Sequence, residues 1–219
     1  MEDAVFLSAG VPDRERGPEY AATADSVAIA AAVSALVHVT LGRRPLVWGG
    51  HPAITPMVWV VAEDLGVDYG SWVHLHQSLH FEDDFPEEND RFGNVTYSGD
   101  VDGDQGRSLL EMRRRMLSDH RFAAAVFIGG MTGVIDEYEL FRRRHPDASI
   151  VPVLSTGGAV LEIAARMPGL DPDLTDDLDY VALFHRHLGI SVREERFLSP
   201  EEQPEATEDR FWRPPGPGR

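Results

Sequence analysis

The sequence predicts an α/β fold, a Rossmann-like, doubly wound parallel sheet with helices on both faces. Short apolar runs that end at a glycine turn alternate four times with segments of helical pattern, which is typical of parallel strands joined by helical crossovers. One run, residues 122–128, is apolar almost throughout, as expected of a strand buried on both faces. We therefore expect one sheet with four glycine turns at its carboxyl edge.

The elements follow in order from these apolar runs. The predicted strands cover residues 4–8, 45–48, 72–76, 122–128 and 149–154. The predicted helices cover about 25–41, capped by Asp25 or Thr23, and about 54–65, 106–120, 131–144, 159–166 and 179–188. Between the third strand and Asp104 we expect an acidic loop of about thirty residues, a length that is uncommon unless the loop is functional or mobile.

The length fits one core, and we expect a single domain over residues 1–198. Residues 199–219 hold five prolines and few core-forming side chains, which predicts a mobile tail. The acidic start lacks the basic flank of a secretory signal, and no apolar run is long enough to cross a bilayer. We expect a cytoplasmic protein without a membrane partner.

Composition excludes several kinds of chemistry. The chain has no cysteine, which excludes disulfides, a thiolate nucleophile and cysteine-ligated zinc. It also has no lysine, which excludes Schiff-base chemistry and a P-loop lysine. The net charge of −17 disfavours nucleic acid as a partner, although a few arginines and helix N-termini can still hold a small phosphorylated ligand.

The four glycine turns predict a nucleotide site. Ligands of open parallel sheets bind at the carboxyl ends of the strands, where glycine permits close approach and the next helix presents free N–H groups. Histidines at positions 74, 76 and 80 suggest a metal alternative, but no spaced carboxylate accompanies them, so we expect neither a metal nor a cofactor. The residues expected to bind the nucleotide are Ser8, Gly10, Gly49, Gly50, His51, Thr55, Gly129, Gly130, Met131, Gly133, Thr156, Gly157 and Gly158.

The segment RRRMLSDHRFAAAVFIGGMTGVIDEYELF, residues 113–141, resembles the LOG family of nucleoside-monophosphate phosphoribohydrolases, whose motif is PGGxGTxxE. Arg113 precedes Gly129 by sixteen residues, as in that family. Ile128 replaces the proline, Thr132-Gly133 reverses the Gly-Thr order, and Asp136 occupies the strict register of the glutamate. The resemblance implies catalytic roles for Arg113 and an acid, either Asp136 or Glu137.

A closer resemblance is to the wider SLOG superfamily, in the branch found beside TIR domains in bacterial defence systems. It rests on FLSAGVPD, GGHPAITP, FIGGMTGVIDEYELF and VPVLSTGGA, which span most of residues 5–160. That comparison makes Glu137 the family-type glutamate. It implies a domain that senses a nucleotide or an NAD-derived, ADP-ribose-like signal, a homo-oligomer such as a dimer, and a TIR-type partner protein. The alternative is an enzyme that cleaves the N-glycosidic bond of a nucleotide.

Overall fold

The computed structural model of the protein describes residues 3–213, which form one six-stranded sheet flanked by helices. The strands are β1 (Ala4–Gly10), β2 (Leu46–Trp48), β3 (Val73–Ser78), β4 (Asn94–Ser98), β5 (Phe122–Gly129) and β6 (Ser149–Val153). The helices are α1 (Pro18–Ala21), α2 (Ser26–Thr40), α3 (Thr55–Asp64), α4 (Tyr69–Trp72), α5 (Gln105–Met116), α6 (Thr132–Arg144), α7 (Val160–Ala164), α8 (Asp173–Asp176) and α9 (Tyr180–His187).

All neighbouring strands pair in parallel, in the order β4-β3-β2-β1-β5-β6. The chain moves outward from β1 in one direction through β4, then crosses back to β5 on the other side of β1. The switch point of the sheet therefore lies between β1 and β5, whose last residues, Gly10 and Gly129, are partners in register. The predicted Rossmann-like fold is confirmed.

The two faces of the sheet carry separate apolar cores, because side chains along a strand alternate between faces. On β1, Val5 and Leu7 pack with α2, α3 and α9, whereas Phe6 packs with α5, α6 and α7. The Phe6 ring stacks on Phe141 of α6 at 5.6 Å between centroids. Ser8 shares the face of Phe6, so this alternation aims its hydroxyl toward α6.

The helix α2 begins where the sequence predicts. The Asp25 carboxylate accepts hydrogen bonds from the N–H groups of Val27 (2.9 Å) and Ala28 (3.0 Å), so Asp25 is the cap and Thr23 is not. Within the described residues, no helix is both long and apolar enough to cross a membrane.

The predicted acidic loop before Asp104 contains structure that the sequence analysis missed. Residues Leu79–Asp84 and Glu87–Arg91 form 3₁₀-helices, and β4 then pairs with β3 at the edge of the sheet. Of the five residues of β4 only Ser98 is buried, so β4 lacks the apolar run that marks β1 and β5. The expectation of a structureless loop was wrong for this reason.

The segment after residue 198 packs against the rest of the chain as far as the structure describes it. Gln203 Nε2 donates to the Arg43 carbonyl (3.0 Å), and Phe211 pairs with Glu194 in an antiparallel bridge. The Arg210 side chain is buried. These contacts differ from the expected mobile tail for residues 199–213, and the remainder of that expectation, residues 214–219, lies outside the described residues.

Candidate functional site

A cavity of about 760 Å³ opens at the carboxyl edge of the sheet, beside the switch point between β1 and β5. This volume lies within the range of small-molecule sites. The ends of β1, β2 and β3, the N-terminus of α6 and one side of α5 form its walls. Ligands of open parallel sheets bind at this position, so the cavity is the candidate site.

The N-terminus of α6 forms the wall next to the switch point. No side chain caps this helix, and the N–H groups of Met131, Thr132 and Gly133 have no acceptor among residues 3–213. Met131 and Gly133 line the cavity. Three free N–H groups and the positive end of the helix dipole make this end of the cavity suited to an anion.

Gly130 sets the approach of this helix. Its φ is +74°, and a Cβ there would lie 2.2 Å from Val134 Cγ2. The Gly130 N–H donates to the Gly10 carbonyl (2.7 Å), which joins the ends of β1 and β5. A side chain at position 130 would therefore be strained and would push α6 away from the strands.

Glu137 lies on the same wall, and both of its carboxylate oxygens accept a hydrogen bond. Ser8 Oγ donates to Oε2 (2.6 Å) and Arg113 Nε donates to Oε1 (3.2 Å). The Glu137 side chain is 15 % exposed, and this residue lines the cavity. Its carboxylate is thus oriented by two fixed donors.

Arg113 reaches the site from α5 and ties that helix to the first turns of α6. Beyond its bond to Glu137, Nη1 donates to Asp136 Oδ2 (3.2 Å) and Nη2 to the Gly133 carbonyl (3.3 Å). Two carboxylates therefore offset this single cation. The Asp136 side chain is 55 % exposed and does not line the cavity, although it contacts Arg113.

His51 covers the end of β1. Burial first, and then the charge of Arg16, lowers the pKa of His51 below its usual 6.5, which favours the neutral ring. Its Nδ1 accepts a hydrogen bond from the Ala53 N–H (3.2 Å), so the proton of the neutral ring is on Nε2. A Cβ at Gly10 would lie 3.5 Å from Nε2. His51 thus brings a neutral N–H donor to the cavity wall.

The loop after β6 holds the glycine turn of β5 in place. Thr156 Oγ1 accepts from the Gly129 N–H (3.0 Å), and the Ala159 N–H donates to the Gly130 carbonyl (3.0 Å). The Gly158 N–H donates to Thr23 Oγ1 (3.1 Å). These residues support the glycine turn from the side away from the cavity. The sequence analysis had predicted that Thr156 and Gly158 contact the ligand.

The structure brings nine of the sixteen predicted site residues to the cavity wall. They are Gly10, Gly49, Gly50, His51, Arg113, Gly130, Met131, Gly133 and Glu137. Seven lie behind the wall or outside it, namely Ser8, Thr55, Gly129, Asp136, Thr156, Gly157 and Gly158. Among these, Ser8 acts on the cavity through Glu137, and Thr55 is fully buried, with its hydroxyl donating to the His51 carbonyl (3.3 Å).

The sequence analysis missed the wall that follows β3. Gln77 is buried at this edge, and its Nε2 donates to the Gly50 carbonyl (3.0 Å). Gly50 has a φ of +65°, and a Cβ there would lie 1.8 Å from that amide nitrogen. The third strand ends without a glycine, so no turn signal marked it. The one indication that the end of β3 contributes to the site was the position of β3 beside β2.

The first 3₁₀-helix after β3 and the two residues that follow it form another part of the cavity wall. Phe81, Asp84, Phe85 and Pro86 line it there. The sequence analysis predicted an acidic loop here and named none of these residues as part of the site. Only its packing over the cavity shows that it contributes side chains to the site.

The three histidines of the metal alternative do not come together. His74 and His76 pack around His120, whereas His80 Nδ1 lies 2.6 Å from Asp100 Oδ1. Within residues 3–213, the one group that could offer three ligand atoms to a metal is Asp171, Asp173 and His187. This group shares no residue with the cavity wall.

Two comparisons with known proteins bear on this site. A family model described as the SLOG cluster3 family matches residues 19–188, more than three quarters of the chain. The match includes the end of β2, Arg113, the glycine turn of β5 and α6. No curated protein matches the chain.

Proposed function

The chain belongs to the SLOG cluster3 family, and from this premise we propose that its cavity binds a nucleotide, or an NAD-derived compound such as ADP-ribose, as a signal. The family suggests a nucleotide-binding or LOG-like domain. The finer proposal, that the ligand is sensed and not consumed, rests on the geometry of the cavity. A TIR-type protein would be a suitable partner to respond to the bound state.

The observation that carries the proposal is the uncapped N-terminus of α6 at the switch point. Its three free N–H groups supply donors for phosphate oxygens without a lysine or an unpaired arginine. The neutral N–H of His51 adds a further donor on the cavity wall. Phosphate is the ligand group that such a set of fixed donors fits best.

Glu137 supports binding over cleavage. Both of its oxygens are already hydrogen-bonded, one to Ser8 and one to Arg113, so the carboxylate is part of a fixed network. A carboxylate oxygen has further lone pairs, so Glu137 can also accept a hydrogen bond from a ribose hydroxyl. We infer that Glu137 recognises the sugar.

One observation favours cleavage of the N-glycosidic bond as a second candidate function. Glu137 and Arg113, the acid and the arginine that the LOG resemblance implies, meet on the cavity wall. A carboxylate at this position would stabilise a positively charged ribose in the transition state. The two candidates differ in whether a free base is released.

The first test is a panel of nucleotides that includes nucleoside monophosphates, ADP and ADP-ribose. We expect at least one member to raise the melting temperature, because a ligand that binds only the folded state stabilises it. Mass spectrometry should recover that compound intact after incubation. If no member of the panel shifts the melting temperature at millimolar concentration, the proposal is wrong. If free base appears, the second candidate is correct.

A backbone substitution tests the role of α6. Thr132→Pro removes one free N–H at the first helical position, where proline is accommodated without loss of the helix. We expect nucleotide affinity to fall by roughly 10- to 100-fold, the effect of one hydrogen bond to a charged group. Thr132→Ala keeps the N–H and is the matched control. Equal affinities for the two variants, measured by calorimetry, would contradict a phosphate at this helix.

A further inference from the structure

A basic cleft lies between the C-terminal ends of α5 and α6. Its rim holds the guanidinium groups of Arg114, Arg143 and Arg144, and its floor holds Leu117 and Leu140. The cleft has a volume of about 480 Å³. The three arginines are exposed, and Leu117 is buried beneath them.

These three arginines have no carboxylate partner within residues 3–213, unlike their neighbours. Arg115 pairs with Asp119 (3.4 Å) and Arg142 pairs with Glu139 (3.4 Å). The chain as a whole has a net charge of −17, so three unpaired cations over an apolar floor are an exception on its surface. The cleft fits an acidic segment that carries an apolar side chain.

The chain itself contains such a segment, which we call the acidic segment, residues 82–90. Its six acids are Glu82, Asp83, Asp84, Glu87, Glu88 and Asp90, and no ion pair engages them in the described part of the chain. Phe85 lies among them and stacks on Tyr97, a residue that is 44 % exposed (5.9 Å between ring centroids). The acidic segment therefore has the charge that the cleft fits, and the exposed ring of Tyr97 lies beside it.

The two features are separate on the surface of one molecule. The acidic segment follows β3 and walls the cavity at the carboxyl edge of the sheet. The cleft lies where α5 and α6 end, just before β5 and β6 begin, at the amino edge. His145 Nε2 lies 2.8 Å from the Leu117 carbonyl, which joins these two helix ends. Within the described residues no ion pair joins the acidic segment to the cleft, so both surfaces of one molecule are open to a second copy.

We propose that the basic cleft binds the acidic segment of a second copy of this chain, so that molecules associate head to tail. Such a contact is heterologous and leaves a free cleft at one end and a free acidic segment at the other, which permits further copies to add. General repulsion between acidic molecules is screened beyond about 10 Å at 0.1 M salt, whereas close pairs still attract. The contact lies beside the cavity, because the acidic segment also forms one cavity wall.

The test uses charge reversals and measures mass by sedimentation velocity across protein concentration. At about 0.1 M salt we expect the mass of the wild type to rise with protein concentration. At about 1 M salt, charges are screened within about 3 Å, and we expect the mass to fall back toward that of one chain. Arg143→Glu and Asp83→Arg should each weaken self-association at least about ten-fold, because each places like charges opposite one another. Neither residue lines the cavity.

Mixing the two variants identifies the contact. The Arg143→Glu protein keeps its acidic segment and the Asp83→Arg protein keeps its cleft, so the mixture can form an intact contact and should associate under conditions in which each variant alone does not. Arg193→Glu makes the same charge change at another exposed arginine and should behave as the wild type. The proposal is overturned by a wild type that stays monomeric, by a mixture that does not associate, or by an Arg193→Glu effect as large as that of Arg143→Glu.

Discussion

At the scale of single residues, the contact between Ser8 and Glu137 determines what the cavity can do. The two residues are 129 positions apart in the sequence. The Ser8 side chain points to the face of the sheet on which α6 packs, so Ser8 Oγ lies 2.6 Å from Glu137 Oε2. Arg113 completes the network from α5. The carboxylate is therefore a fixed acceptor on the cavity wall, which suits a ribose hydroxyl.

Replacing the Glu137 carboxylate by an amide tests this role. We expect Glu137→Gln to lower nucleotide affinity by roughly ten-fold, because a charged acceptor becomes a neutral one. Asp136→Asn is the matched control, and its effect should be smaller because Asp136 lies outside the cavity. Calorimetry measures the affinity, and mass spectrometry follows any released base.

The opposite pattern would identify an enzyme. If the wild type releases base, and Glu137→Gln reduces turnover by about a hundredfold or more with little change in affinity, the carboxylate stabilises a transition state. If Asp136→Asn alone abolishes that activity, the strict register of the LOG motif is the correct one.

At the scale of elements, β3 presents two histidines to the end of α5. His76 Nε2 lies 3.1 Å from His120 Nε2, and the His74 ring lies 4.7 Å from the His120 ring between centroids. Burial first, and then the charge of His120, lowers the pKa values of His74 and His76 to about 4. The folded chain therefore keeps both rings neutral well below pH 6.5.

This packing makes the free energy of unfolding depend on pH. In the unfolded chain both histidines titrate near pH 6.5, so between pH 6.5 and about 4 the unfolded state binds more protons than the folded one. We expect the stabilisation to be complete above pH 6.5 and to be lost as the pH falls toward 4, at up to about 1.4 kcal/mol per pKa unit. Urea unfolding at a series of pH values measures this slope.

His76→Asn separates this contribution from that of the many carboxylates. The variant removes one buried imidazole and should show a shallower loss of stability between pH 6.5 and 4 than the wild type. Parallel curves for the two proteins would show that the histidines do not titrate as inferred. The unfolding curve of the variant at pH 7.5 serves as the reference for its intrinsic stability.

At the scale of the whole molecule, deletion of the C-terminal segment tests whether that segment belongs to the packed structure. Deletion of residues 199–219 removes the bond from Gln203 to Arg43, the buried Arg210 and the bridge at Phe211. We expect the melting temperature to fall by roughly 3–10 °C, as a loss of a few kcal/mol would cause in a domain of this size. A melting temperature unchanged by the deletion would support the mobile tail that the sequence suggested.

The sequence by itself determined the architecture of this protein. Strands such as β1 and β5 are apolar runs that end at a glycine, and both the run and the turn are local signals. The pattern alone therefore predicted these strands, the helical crossovers and the shared edge of the glycine turns. The same signals identified Gly10 and Gly130 near one site, and the family resemblance added Glu137. The edge strand β4 carried no such signal, because only one of its five residues, Ser98, is buried.

Only the tertiary structure decided which residues line the cavity and which support its wall. Gly129 and Gly130 are adjacent in sequence, but one bonds to Thr156 behind the wall and the other lines the cavity. Three further features depend on contacts between distant parts of the chain. They are the cavity wall formed by the acidic segment, the hydrogen bond between Ser8 and Glu137, and the packing of the neutral histidines near the end of α5. Contacts of this kind depend on how the elements pack, and no local pattern in the sequence records them.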